Sequence, residues 1–233
     1  MILSAIQSAG KKIVSSGLVM NFDAAHKRSY PGSGSTWTDL QNGYTGTLFN
    51  SPTFNSTNGG TLVFSGSNRI DITTNLNNFT AGITIEAWVY ATSTLDFARI
   101  CELGNGVRTN NIGFFRLNSN NFLGVFFQYP DGVNASLDIG VNNVYTLNTW
   151  HNFAFTANGT NWKLYKNGSE VASTVQSYLP TNTTRAINTI ASTSGSYREY
   201  FTGRIPIVRI YNRGLTATEI DQNFKALRAR YEL

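Results

Sequence analysis

The sequence predicts an all-β fold of the sandwich type, two antiparallel sheets with one short helix at the C-terminal end. Three observations predict it. Short β-rich runs recur along the chain between Gly, Asn, Pro and Ser clusters. Several of those runs alternate strictly, as in "GITIEAWVYATS", where Ile83, Ile85, Ala87 and Val89 share one face and Thr84, Glu86, Trp88 and Tyr90 the other. Only one segment, near the end, carries a helical period.

Residues 1–16 have a brief apolar start (Ile2, Leu3, Ile6) and then small polar residues, a pattern open to a short helix, an arm or disorder. From Gly17, "GLVMNFDAA" reads as a strand and "YPGSGSTWTDLQNG" as a loop with turns. "GTLFNSPTFN", "GTLVFSGSNRIDIT", "ARICELG", "GFFRLNSNNFLGVFFQY" and "NASLDIGV" bring further short runs. In "WHNFAFTANGTNWKLYKNGSEVAST", Asn158-Gly159 and Asn167-Gly168 separate alternating runs, which predicts a three-stranded meander. Its aromatic residues (Trp150, Phe153, Phe155, Trp162, Tyr165) fall at strand spacing and point to core and sheet-face packing rather than a ligand box. Pro206 in "TGRIPIVRIYN" predicts an edge strand or a bulge.

The helix is "LTATEIDQNFKALRARYEL". Thr216 and Glu219 have capping-box spacing, and Ile220, Phe224, Leu227 and Tyr231 form one apolar stripe. The stripe should pack on the sandwich and leave the basic end (Lys225, Arg228, Arg230) free.

A chain of 233 residues with 41% hydrophobic and 13% aromatic content can form one sizeable β-domain, here taken as residues 17–233 after an N-terminal arm at 1–16. Only 13% of residues are charged, so the surface is built from Asn, Ser, Thr and Gly. The net charge of +5 comes largely from small clusters near the two ends (Lys11, Lys12, Lys27, Arg28; Lys225, Arg228, Arg230), which do not make the continuous basic face of a nucleic-acid binder. Cys101 is alone, so folding needs no intrachain disulfide. No apolar run is long enough for a membrane span. The opening, with apolar residues before its lysines, lacks the order of a secretory signal, and synthesis in a cytoplasm is expected. The six Asn-x-Ser/Thr sequons reflect the Asn- and Thr-rich composition.

Three stretches, "FTAGITIEAWVYATS", "NTWHNFAFTANGTNWKLYKNGSEVAST" and "YFTGRIPIVRIYNRGLTATEIDQNF", resemble in that order three blocks of the concanavalin A-like lectin/glucanase superfamily, in its laminin G-like and pentraxin-like branch. The opening "SGLVMNFDAAHKRSYPGSGSTWTDLQNGYTGTLFNSPTF" and the ending "NFKALRARY" are similar to versions of this domain in bacteriophage virion proteins. The resemblance covers roughly residues 16–231 and implies a two-sheet antiparallel jelly roll. It does not fix function, because sites are grafted onto such folds.

A retaining glucanase of this superfamily would carry two close carboxylates, usually from Glu-x-Asp-x-x-Glu. The nearest match is Glu219-Ile220-Asp221, but Phe224 stands where the third acid belongs. Other acids are scattered, and Glu86 is expected solvated or paired. His26 and His151 have no nucleophile turn beside them and read as surface or satisfied sheet residues; Cys101 reads as a small buried hydrophobe. No cofactor is expected. The resemblance leaves Ca²⁺ open, with Asp39, Asn42 and Asp131 as candidate ligands, although all three are also ordinary turn residues. A carbohydrate site needs an exposed aromatic platform, for which Tyr44, Tyr129, Tyr178 and Tyr197 are the loop candidates.

The leading expectation is a non-enzymatic structural virion protein of a bacteriophage: a capsid decoration, head fibre or tail appendage, docked through residues 1–16 onto other virion proteins. Adhesion to a host-surface glycan and homo-oligomerisation fit this reading. The alternative is a lectin-like carbohydrate-binding module. No nucleic-acid or membrane partner is expected.

Overall fold

In a computed structural model, the described residues are 12–93, 96–107, 109–117, 119–128, 136–176, 179–195 and 199–233. Among them, sixteen strands form two antiparallel sheets. Sheet A contains β1 (Leu18–Asp23), β4 (Thr53–Asn55), β5 (Thr61–Ser65), β7 (Ile83–Ala91), β12 (Trp150–Ala157), β13 (Asn161–Lys166), β14 (Ser169–Val175) and β16 (Thr202–Tyr211). Its order is β14-β13-β12-β7-β16-β5-β4, with β1 also on β16. Sheet B runs β11 (Ser136–Val141), β10 (Phe122–Phe127), β9 (Ile112–Leu117), β8 (Arg99–Gly104), β15 (Ile187–Ile190), β6 (Arg69–Thr73), β3 (Thr45–Phe49) and β2 (Thr36–Thr38).

The two inner faces close one core. Ile83, Ile85, Ala87 and Val89 of β7, with Phe153 and Phe155 of β12, meet Ile100 and Leu103 of β8, Phe114 of β9 and Phe127 of β10. The edge of Phe127 packs against Phe155 at 5.9 Å, and its ring lies 4.2 Å from Trp162. The predicted aromatic run is therefore packing.

Pro206 sits inside a central strand, not at an edge. β16 pairs with β7 along one side, while β5 takes the first half and β1 the second half of the other. The ladder to β7 shifts register between Arg204 and Ile207, so Pro206 occupies a bulge where no amide is required. Its carbonyl still accepts from the Ala24 amide at 2.8 Å.

The meander holds, but its two Asn-Gly turns differ. Asn167 and Gly168 have φ of 50° and 80°, the left-handed pair that a tight hairpin needs. At the other turn the Asn158 side chain accepts from the amides of Thr160 (3.1 Å) and Asn161 (2.9 Å), a side-chain-closed loop. Gly168 also seats the helix: a Cβ there would lie 3.0 Å from the Phe224 ring.

The helix α1 spans Ala217–Leu227 and has the predicted capping box at Thr216 and Glu219. Its stripe lands on the outer face of sheet A, so that face is not solvated as simple alternation implies. Tyr231, in a following 3-10 turn, stacks on Trp88 at 4.2 Å, and Phe224 stacks on the same ring at 5.8 Å. Glu86 is consequently only 1% exposed. Its carboxylate is satisfied by Asn152 Nδ2 (3.1 Å), Asn223 Nδ2 (2.9 Å) and Arg209 (3.4 Å), which offsets the desolvation of a buried charge. The basic end of the helix is not free: Arg230 pairs with Asp23 at 2.9 Å and Lys225 with Asp221 at 2.7 Å.

Residues 12–16 join this seam. Val14 is buried, its amide donates to Asn223 Oδ1 at 2.8 Å, and its carbonyl accepts from Tyr211 at 3.1 Å. Gln222 donates to the Lys12 carbonyl at 2.8 Å.

Candidate functional site

Sheet B presents its outer face differently. Directly paired residues form one row across it: Phe126, Gly113, Glu102, Thr189, Asp71, Thr47 and Thr36. Inward neighbours such as Leu103 and Ile70 anchor each strand in the core, so these side chains stand outward by the period of two.

One end of the row is organised by Arg99, at the start of β8. Its Nε donates to Glu102 at 2.9 Å, its Nη1 to the carbonyl of Phe97 at 2.7 Å, and its Nη2 to Glu199 at 2.8 Å. The guanidinium lies 5.1 Å from the Phe115 ring centre and 5.0 Å from that of Phe126. Phe115, Phe122 and Phe126 form a compact outward cluster. Gly113 faces that cluster because a Cβ there would run into Phe126.

Phe97 completes the site. It is 48% exposed and lies 6.4 Å from Phe115, with the two rings inclined by 20°. Its φ of 52° is left-handed, an outlier for a bulky residue that costs ~1–3 kcal/mol. The Arg99 bond to its carbonyl holds that conformation. An exposed apolar ring is thus presented beside a ring of fixed polar groups.

Glu102 is 3% exposed and fully occupied: besides Arg99, it accepts from Asn111 Nδ2 (3.1 Å), the Ser194 amide (3.0 Å) and Ser194 Oγ (2.7 Å). Glu199 is half-buried; burial, and then the nearby Glu102, raise its pKa, against the pull of Arg99. Farther along the row Asp71 holds Arg69 through both oxygens (2.7 and 3.0 Å), and Arg69 covers the ring of Phe49 at 4.1 Å. Neither Glu102 nor Asp71 is left free for proton transfer, so the geometry suits binding.

The predicted candidates fall elsewhere. Tyr44 is partly buried against the core and forms no platform. Tyr129, Tyr178, Tyr197 and Asp131 lie outside the described residues. Asp39 is buried and accepts from the amides of Asn21, Gln41 and Asn42, the turn role, while Asn42 Nδ2 donates to the Val19 carbonyl. Among the described residues no group of three His, Cys, Asp or Glu side chains could hold a metal ion. Glu219 caps the helix and pairs with Arg213 at 2.6 Å. His26 is an exposed turn residue whose Nδ1 accepts from the Arg28 amide at 3.3 Å. His151 is buried against a small apolar cavity with Val89, Ile100 and Phe201; burial, then Lys166, lower its pKa to about 4. Burial also raises the Cys101 thiol, which leaves it inert. Sequence reasoning missed Phe97, Arg99 and Glu199. The signal present was charge inside a strand, "ARICELG", directly after an aromatic loop residue.

Solved structures share this fold. One is the binding domain of botulinum neurotoxin DC in complex with rat synaptotagmin II, with a TM-score of 0.65 and 17% identity over 91% of this chain and 52% of that chain. The present chain therefore spans about half the length of such toxin domains. Another is domain 4 of AbnA, a GH43 extracellular arabinanase from Geobacillus stearothermophilus, in complex with arabinotriose, with a TM-score of 0.63 and 13% identity over 90% of this chain and 99% of that domain. A third is a Trypanosoma rangeli sialidase, with a TM-score of 0.64 and 15% identity over 94% of this chain and 34% of that one. At these identities the likeness concerns the fold. No curated protein matches the sequence. Residues 64–221 do match a family description, and together with the two-sheet architecture this places the chain in the concanavalin A-like lectin/glucanases superfamily.

Proposed function

We propose that this chain is a non-enzymatic, lectin-like carbohydrate-binding domain whose ligand lies on the outer face of sheet B, over Phe97. The observation that carries the reading is the strained, exposed Phe97 ring held by Arg99 beside Glu102 and Glu199. A sugar stacks its C–H face on such a ring while fixed polar groups take its hydroxyls. The AbnA domain, whose full length this chain matches in fold and which was solved with arabinotriose, supports the same direction. The saturated hydrogen bonding of Glu102 supports binding over hydrolysis. A glycan array read with the wild type and Phe97→Ala tests it: discrete hits lost in the variant are expected, and a blank array with and without Ca²⁺ would overturn it.

A place on a bacteriophage particle is a second proposal, carried by the opening and ending stretches that resemble virion domains. There the domain would present its sheet B face to a host-surface glycan while contacting other virion proteins, singly or as a homo-oligomer. Quantitative mass spectrometry of purified particles tests it, and absence of the chain from them would end it.

A further inference from the structure

We infer that the Phe97 site accepts neutral oligosaccharides and rejects acidic ones such as sialylated glycans; this rests on the carbohydrate-binding reading above. Recognition of an acidic sugar needs a cation whose charge is not already matched. Arg99 is committed to two carboxylates: Nε donates to Glu102 and Nη2 to Glu199, while Nη1 donates to the Phe97 carbonyl. Arg69, in β6, gives Nε and Nη2 to the two oxygens of Asp71 and lies over the ring of Phe49.

The charges point the same way. Among the described residues, the ion pairs of this face include Arg69–Asp71, Arg99–Glu102 and Arg99–Glu199. Among the described residues of these pairs, three carboxylates meet two guanidiniums, an excess of one negative charge. Of the two acids that Arg99 holds beside Phe97, the less covered is Glu199, whose side chain is 34% exposed. It accepts hydroxyl hydrogens from a neutral sugar and repels a carboxylate or sulfate brought to the same place. Phe97 supplies the apolar surface that a neutral ring needs, and it cannot donate a hydrogen bond to an anion.

The test is a binding array of oligosaccharides in matched pairs, each neutral glycan beside its sialylated, uronic or sulfated counterpart, at neutral pH and low salt. Wild-type protein should bind the neutral member roughly tenfold or more tightly than its acidic partner. Glu199→Gln, which keeps the shape and removes one charge, should narrow that ratio several-fold, with thermal unfolding confirming that the variant is folded. Acidic members that bind as well as or better than their neutral partners, with signal lost in Phe97→Ala, would overturn this inference and leave the carbohydrate-binding reading standing. No Phe97-dependent signal from either member would remove the reading and the inference together.

Discussion

Arg99 donates to the carbonyl of Phe97 at 2.7 Å, so the guanidinium and the strained ring form one unit. The same arginine bonds Glu102 and Glu199 and faces two further phenylalanines. Strain at Phe97 is thereby balanced by contacts that lie next to it in space.

Replacing Phe97 separates stability from binding. Glycine adopts the left-handed φ without penalty, so Phe97→Gly should match or exceed wild type in urea unfolding, by up to ~1 kcal/mol, while losing glycan binding. A variant that both binds and unfolds like wild type would show that the ring has no role in recognition.

Arg99→Ala should be severe. It leaves the buried Glu102 without its cation and removes the brace on Phe97, and a loss of about 3–5 kcal/mol is expected for breaking a buried pair. Arg99→Lys restores charge but not the three-way fork, and should recover only part of the stability. Equilibrium denaturation of the three proteins checks the order.

Stability should rise with pH through the titration of His151. Its folded pKa is about 4 against an ordinary 6.5, so the unfolded chain binds the extra proton between these values. The neutral-ring contribution is complete above pH 6.5 and is lost as pH falls towards 4, an effect on the order of 3 kcal/mol. Thermal melts of His151→Gln should show a flatter dependence over that window than wild type.

The helix cap responds in a lower window. The Arg213 side chain, then the Thr216 hydrogen bonds, hold the Glu219 pKa at about 2, below the ordinary carboxylate value. That contribution is present above about pH 4.5 and is lost as pH falls towards 2. Thr216→Ala should remove ~1 kcal/mol of stability at neutral pH. The melting difference between wild type and Glu219→Gln should shrink across the acid window.

Deleting residues 1–16 cannot serve as a clean test of a docking arm. It also removes the buried Val14 and its bonds to Asn223 and Tyr211, and should lower the melting temperature by roughly 5–15 °C. Deletion of residues 1–11 leaves that seam in place. Its comparison with wild type in particle attachment isolates the arm, and unchanged attachment would exclude a docking role.

Much of the fold was legible because it follows local rules. The β7 alternation, the Asn167-Gly168 hairpin and the capping box each depend on residues a few positions apart. What was not legible depended on which face a distant element covers. Whether Glu86 was solvated or paired stayed open until α1 closed over it and Arg209 met it, and Arg230 looked free until Asp23, over two hundred positions earlier, met it. The site was hidden for the same reason. Tyrosines in loops drew attention by type, whereas Phe97 becomes a candidate only because Arg99, two residues on, ties its carbonyl to Glu102 of the same strand and to Glu199 from a distant segment.

The seam that joins Lys12 and Val14 to α1, with Arg230 fastened to Asp23, gathers both ends of the described chain on the outer side of sheet A. The domain therefore has a back and a front. Anything coupled at the C-terminal end, whether a neighbouring domain, an assembly or a solid support, attaches behind the sandwich, and the Phe97 face is turned away from it. Immobilisation through a C-terminal tag should accordingly leave ligand access intact, and many copies tethered this way would act as a multivalent surface even where one copy binds weakly.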